Sequence, residues 1–282
     1  MIADWKLFRN FAVAKTNSFA MIKAIFFDID GTLVPFGSHG IPKEVTDAIA
    51  HVRRNGIKVF ISTGRHLNWI DNLGETEFDG YVTVNGAICL LSDKSTCIYR
   101  RTIPRTDVER MISFSHQSEI PIVVIPDDGK IFINKIDDGV RHVMGLLRVA
   151  HIDERDLDTI GGRDVVQMMA FGTEEERVES RIFGEVLTEC EPTSWNPYFC
   201  DIIPRGSDKS VGIDKIIQHF GIPLSETMAF GDGGNDIGML RHVAIGVAMG
   251  NADDSVKEAA DYVTTEDTNH GIVNAFRHFG LL

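Results

Sequence analysis

The sequence predicts an α/β protein: a doubly wound, mostly parallel sheet with a separate α+β module inserted into it. Three observations predict this. Short apolar runs alternate with helical patterns at both ends of the chain, polar residues stand at the carboxyl end of each run, and the stretch between changes to hairpins mixed with helices. The expected boundaries are an extension at 1–20, a core made of 21–86 and 204–282, and an insert at 87–203.

Residues 1–20 carry Lys6, Arg9 and Lys15 against Asp4 and stand apart from the acidic remainder. Their apolar stretch is broken and too short for a signal peptide, so an upstream start site or a short surface helix is expected. Ala24-Ile25-Phe26-Phe27 then reads as the first strand and runs into Asp28-Ile29-Asp30-Gly31-Thr32. Residues two apart in an extended chain project to one side, which places Asp28 and Asp30 together at the strand's carboxyl end, where open parallel sheets bind ligands. Two carboxylates with no adjacent Lys or Arg repel unless a positive charge lies between them, and a divalent metal is the simplest candidate. Taken alone, Asp-x-Asp-Gly is equally an ordinary turn.

Ile41, Val45, Ala48, Ile49 and Val52 recur at helical spacing, with Pro42 suited to the first turn and Asn55-Gly56 to the stop. A second strand is expected over 57–61, ending in Ser62-Thr63-Gly64-Arg65, and a third over 81–84, ending in Asn85-Gly86-Ala87. Within the insert, residues 89–100 and 122–134 read as hairpins, the second turning at Pro126-Asp127-Asp128-Gly129. Helices are expected near 105–118, 137–149 and 174–188, and strands near 164–171 and 198–203. Lys209 opens a helix with the apolar face Ile213, Ile216, Ile217 and Phe220, stopped by Gly221. The strand Thr227-Met228-Ala229-Phe230 leads into Gly231-Asp232-Gly233-Gly234-Asn235-Asp236 and a helix through Met239-Leu240; strands at 244–248 and 261–264 complete the sheet.

Four strand-end or helix-start positions therefore collect polar residues: Asp28 with Asp30, Thr63, Lys209, and Asp232 with Asn235 and Asp236. Each has an ordinary explanation by itself: Thr63 with Gly64 as a helix cap, Lys209 as a solvated lysine, Asn235 or Asp236 as the N-cap of the next helix. In this order and on these elements, coincidence is hard to sustain.

The ordered set Asp28-Ile29-Asp30-Gly31-Thr32, Thr63-Gly64-Arg65, Asn85-Gly86-Ala87, Lys209 and Gly231-Asp232-Gly233-Gly234-Asn235-Asp236 resembles the haloacid dehalogenase superfamily of phosphohydrolases, in its Cof-type branch with a type IIB cap. The tail 246–252 and Ala260-Asp261-Tyr262-Val263 resemble that branch too. The resemblance implies a Rossmann-like core with the insert as a cap. It implies that Asp28 is the nucleophile forming an aspartyl-phosphate, and that Asp30 is the acid and then the base. It further implies Mg²⁺ held by Asp28, the backbone carbonyl of Asp30 and Asp232, with Asp236 in support, and phosphoryl oxygens bound by Thr63, Gly64, Lys209 and Asn235. Ser210 stands where the family often has glycine, and His66 where proline is common, which bears on loop geometry. Arg65 and Asn85 face the expected junction with the cap and are open to either a substrate contact or a structural hydrogen bond.

Bulk properties fit that picture. At 282 residues the chain has material for two domains. Its 28 basic against 41 acidic residues, a net charge of −13, argue against nucleic acid or an anionic membrane as partner. No apolar run approaches the ~18 residues needed to span a membrane. Cys89, Cys97, Cys190 and Cys200 have no metal-ligand spacing, so reduced thiols and a cytoplasmic location are expected. The expected partner is a small phosphorylated metabolite, handled by a monomer or weak homo-oligomer. The expected function is a Mg²⁺-dependent phosphatase acting on a sugar phosphate or a phosphorylated cofactor through an aspartyl-phosphate; the alternatives are a phosphomutase or sucrose-phosphate-type hydrolase of the same superfamily, or a non-catalytic phosphometabolite sensor.

Overall fold

The computed structural model describes residues 22–147, 149, 152, 154–194 and 197–282. The expected extension at 1–20 lies outside the described residues. β1 (Ala24–Phe27) runs parallel to β2 (Lys58–Ser62) on one side and to β11 (Thr227–Gly231) on the other. β3 (Gly80–Thr83), β12 (Ile245–Ala248) and β13 (Tyr262–Val263) extend the parallel set in the order β13-β12-β11-β1-β2-β3. The chain leaves β1 toward β2 and returns on the opposite side as β11, so a crevice opens above the carboxyl ends of these strands.

Both faces of this sheet are covered, which is why its strands are apolar throughout rather than alternating. On one face α1 (Lys43–Arg54) and α8 (Gly271–His278) bury Val45, Ile49, Val52, Ile272 and Phe276 against Ile25, Phe27, Val59 and Phe230. On the other, α5 (Lys209–Phe220), α6 (Ile237–His242) and α7 (Asp254–Ala259) set Ile213, Ile216, Leu240 and Val256 against Ala24, Phe26, Phe60 and Ala229. Pro42 is the N-cap of α1 rather than a residue of its first turn. Gly221 ends α5 in the left-handed conformation, as a C-terminal glycine does at least steric cost.

The hairpin β4 (Ile88–Leu91) and β5 (Cys97–Arg100) corrects one expectation. It continues the large sheet antiparallel to β3, so the insert does not begin at 87. β4 is tied to β3 by too short a connection to leave the sheet. Its residues are also buried on both sides, Ile88 and Leu90 with one helical layer and Cys89 with the other.

The second sheet has the order β7-β6-β8-β10-β9 and is antiparallel throughout. It consists of β6 (Ile122–Pro126), β7 (Phe132–Ile133), β8 (Val165–Phe171), β9 (Cys190–Thr193) and β10 (Phe199–Pro204). α2 (Arg105–Ser115) covers one face through Val108 and Met111. α3 (Asp138–Leu146) covers part of the other, which joins the apolar core of the large sheet through Met169 and Phe199. α4 spans only Glu174–Glu179, shorter than the 174–188 expected. β9 was not anticipated from sequence: Pro192 suits an edge strand, the one place a missing donor is harmless. Among the described residues no helix is long and apolar enough to cross a membrane.

Candidate active site

The site forms where the loops following β1, β2, β3, β11 and β12 meet beneath the small sheet. A cavity of about 200 Å³ opens there, lined from the large sheet by Asp28, Asp30, Thr63, Arg65, Asp232 and Asn235 among others. Of the candidate residues from the sequence, Lys209, Asp236 and Asn85 do not line it; Lys209 and Asp236 lie beneath it, and Asn85 bonds to the lining residues Asn235 and Asp201.

Asp28 follows β1, and its backbone N–H donates to Phe230 O at 3.0 Å, so the sheet itself places it. Lys209, fully buried at the start of α5, donates from Nζ to Asp28 Oδ1 and to Asp236 Oδ1, both at 2.6 Å. Asp236 Oδ2 in turn accepts from the backbone N–H groups of Asp232 (3.0 Å) and Gly233 (2.9 Å), which folds the β11 loop back on itself. Asp232 Oδ1 accepts from Thr32 Oγ1 at 2.7 Å. Gly31, at φ +80°, is required here: a Cβ would run into the Asp232 carboxylate.

The electrostatics of this cluster are those of too many carboxylates for one lysine. Burial pushes Asp28 up to about 7 even though Lys209 works the other way, with Asp236 and Asp30 adding to the rise. Burial and the charges of Asp28 and Asp236 push Asp232 up to about 9 against Thr32 and Lys209. For Lys209, burial opposes the charge, but Asp236 and Asp28 outweigh it and hold the ammonium above its ordinary range. Carboxylate oxygens of Asp28, Asp232 and Asp236 lie within 4.8 Å of one another. Oxygen-only donors with surplus negative charge fit a hard divalent cation such as Mg²⁺.

Asp30 is held quite differently. Its carboxylate takes both prongs of the Arg65 guanidinium, from Nε to Oδ2 and from Nη2 to Oδ1, each at 2.7 Å. Arg65 is itself buried, and its Nη1 donates to Trp69 O (3.0 Å) and across to Leu147 O beyond α3 (2.9 Å). Arg65 thus makes a structural hydrogen-bonded fork on Asp30 while lining the cavity.

Thr63 is buried, its Oγ1 accepting from Arg65 N at 3.2 Å. Beside Gly64 there is little room for a side chain, because Asn85 stands about 3.1 Å from where its Cβ would be. Asn85 lies in a run of three left-handed residues, Val84 (φ 54°), Asn85 (φ 50°) and Gly86 (φ 92°). Such a conformation at a β-branched residue is strained and marks a position the surroundings over-determine. It aims the Asn85 amide into the site, where Oδ1 accepts from Asn235 Nδ2 (3.0 Å) and Nδ2 donates to Asp201 Oδ2 (3.0 Å).

Asp201 and Gln167, on β10 and β8, were not singled out from sequence. Both line the cavity, as do Met169, Phe199 and Leu147. The signal was a carboxylate and an amide at inward positions of otherwise apolar strands, which is uncommon without a partner or a purpose. Exposed Phe36 stands at the rim.

A doubly wound sheet that gathers acids and one buried lysine at its strand ends, beneath an inserted antiparallel sheet, defines a hydrolase class built for phosphate esters. The chain belongs to the haloacid dehalogenase-like hydrolases, whose family pattern it matches over residues 25–276, and it is a phosphatase of that superfamily. It is similar to a solved structure of the HAD subclass IIB sugar phosphatase BT4131, at 42% identity over 92% of this chain and 100% of that one, with a TM-score of 0.85. It is similar also to the phosphatase BT1666 from Bacteroides thetaiotaomicron, at 31% identity over 95% and 98% of the chains, TM-score 0.85. A further relative, 27% identical over 92% of this chain and 96% of its own length, is the 5-amino-6-(5-phospho-D-ribitylamino)uracil phosphatase YcsE of Bacillus subtilis (strain 168).

Proposed function

We propose that the protein is a Mg²⁺-dependent phosphatase that frees inorganic phosphate from a small phosphorylated metabolite, foremost a sugar phosphate, by way of an aspartyl-phosphate on Asp28. The observation that carries this is the contrast between two aspartates two residues apart. Asp28 faces Lys209 among other acids, and Asp30 faces the Arg65 fork. The sugar phosphatase and the phosphoribityl-substrate phosphatase among its relatives support the substrate class.

In this reading one carboxylate oxygen of Asp28 attacks phosphorus while Asp30, protonated on the oxygen it frees from the Arg65 fork, gives that proton to the departing alkoxide. Asp30 then takes a proton from the water that hydrolyses the acyl phosphate, so both carboxyls return to their starting state. Lys209, the Thr63 hydroxyl, the backbone at Gly64 and the Asn235 amide take up charge on the phosphoryl oxygens. Asp28, Asp232 and the backbone carbonyl of Asp30 would hold Mg²⁺, while Asp236 anchors Lys209 and the β11 loop. When bound, Mg²⁺ would screen the nucleophile from the anionic substrate and keep Asp28 ionised. The small sheet closes over the site and keeps water from the reaction until the adduct forms.

The test is chelation. EDTA should abolish hydrolysis of p-nitrophenyl phosphate, and added Mg²⁺ should restore it. Full turnover in chelator would remove the metal from this account.

A further inference from the structure

On β8 and β10 the residues that alternate toward the catalytic loops are Gln167 and Met169, and Phe199 and Asp201. Asp201 stands opposite Met169, and Gln167 is its diagonal neighbour, donating from Nε2 to Asp201 Oδ1 at 2.7 Å. Both side chains are 2% exposed. A carboxylate accepts and never donates when ionised, so the amide must turn its nitrogen to Asp201 and its Oε1 away. That Oε1 is buried and has no hydrogen-bond partner among the described residues. Each Asp201 oxygen accepts one side-chain hydrogen bond, Oδ1 from Gln167 and Oδ2 from Asn85, and a carboxylate has capacity for about four.

The inner face thus presents buried acceptors beside the apolar surfaces of Met169, Phe199 and Trp69, all lining the cavity that holds Asp28 and Asp30. Acceptors of this kind are satisfied by hydroxyl donors, and the apolar surfaces suit the C–H faces of a carbohydrate. We propose that Asp201 and Gln167 form the subsite that reads the leaving group, accepting hydroxyl protons from an uncharged polyol or sugar and turning away leaving groups that carry a carboxylate or a second phosphate. Asp201 supplies the discrimination: burial pushes its carboxyl up to about 7, against the hydrogen bonds from Asn85 and Gln167 and the charge of Lys209, so above that pH it is an anion and a second anion brought to it meets a like charge in a water-poor site. Gln167 supplies the fit, because its Oε1 gains a partner only when a hydroxyl arrives. Through Asn85 the subsite reaches Asn235, so an occupied leaving-group pocket bears on the residue at the phosphoryl end.

The inference rests on the phosphatase reading of this site. It is tested with unaltered enzyme and Mg²⁺ on p-nitrophenyl phosphate and on paired substrates: aldose and alditol monophosphates against the corresponding phosphorylated sugar acids and bisphosphates. The uncharged member of each pair is expected to have kcat/KM higher by ~10²-fold. In Asp201→Asn that preference should narrow by ~10-fold or more. In Gln167→Met, kcat/KM for the polyol phosphates should fall by at least ~10-fold more than for p-nitrophenyl phosphate. If the unaltered enzyme left p-nitrophenyl phosphate intact, the phosphatase reading would fall and the subsite with it. Turnover of that ester with no preference for uncharged polyols, or with the same preference in Asp201→Asn, would overturn the subsite alone.

Discussion

Asp28 and Asp30 share a strand end and a cavity but not their side-chain partners. Asp28→Asn should leave no phosphoenzyme in rapid-quench trapping with labelled substrate, because an amide is too weak a nucleophile to replace a carboxylate. Asp30→Asn should spare phosphorylation by p-nitrophenyl phosphate, whose nitrophenolate leaves without a proton. Phosphorylation by a sugar phosphate should drop ~10²–10⁴-fold. Equal loss with both substrates would remove Asp30 from the acid role. Arg65 acts through Asp30. Its bidentate fork cannot be reproduced by a point-charge ammonium, so Arg65→Lys should reproduce the selective loss, by ~10²-fold on sugar phosphates, with p-nitrophenyl phosphate much less affected. Uniform loss on both would make Arg65 a support of the fold alone. The sequence placed the two aspartates by period-two geometry, but it left Arg65 open, because a partner 35 residues away is a fact of packing.

At the scale of elements, the turn joining β6 to β7 docks on the segment after Thr63-Gly64-Arg65. His66 Nε2 meets Asp127 O (3.3 Å), Asn68 Nδ2 donates to Asp128 O (2.9 Å) and Trp69 Nε1 to Gly129 O (3.3 Å). Arg100 adds an ion pair to Asp127 at 2.8 Å. His66 Nδ1 accepts from Asn68 N at 3.2 Å, so the ring is neutral with its proton on Nε2 facing the carbonyl. A histidine in place of the proline common in this family thus gives the turn a docking partner. Burial lowers the His66 pKa, although Asp127 and Asp128 work against it. The unfolded or undocked ring then binds protons more readily than the docked one, so the contact is intact above the free value of about 6.5 and weakens as pH falls below it. Hydrogen exchange of backbone amides 66–69 should be faster at pH 5 than at pH 8, measured at matched intrinsic rates, and His66→Gln should flatten the difference. No change in His66→Gln would assign the pH response elsewhere.

For the molecule as a whole, the acid cluster links metal, protons and stability. Asp28 and Asp232 are pushed to about 7 and about 9, above the ordinary carboxylate value of about 3.9. Without metal, the folded chain keeps protons there that the unfolded chain releases. The stability these two groups contribute is therefore fully present below pH ~4 and is lost as pH rises through about 7 and then about 9. A cation needs the same carboxylates ionised, so saturating Mg²⁺ should raise Tm more at pH 8 than at pH 5. Thermal unfolding with Mg²⁺ and with EDTA at the two pH values reads this directly, and an equal gain at both would count against these carboxylates as the ligands.

The sequence by itself determined the doubly wound core and the places where its acids gather. Strand and helix periods are local: Phe26 and Phe27 must face opposite layers whatever they pack against, and Gly31 supplies the positive φ with which the chain turns out of the loop after β1. Tertiary structure decided what depends on distant partners. The continuous apolar run 88–91 marks a strand without saying which sheet receives it, and burial between two helical layers assigned it to the large one. An aspartate at 201 and a glutamine at 167 become neighbours only when β8 and β10 pair in one register. They become part of the site only because that face, rather than the one covered by α2, closes over Asp28; no local pattern carries that choice, since both faces of the strands are equally buried.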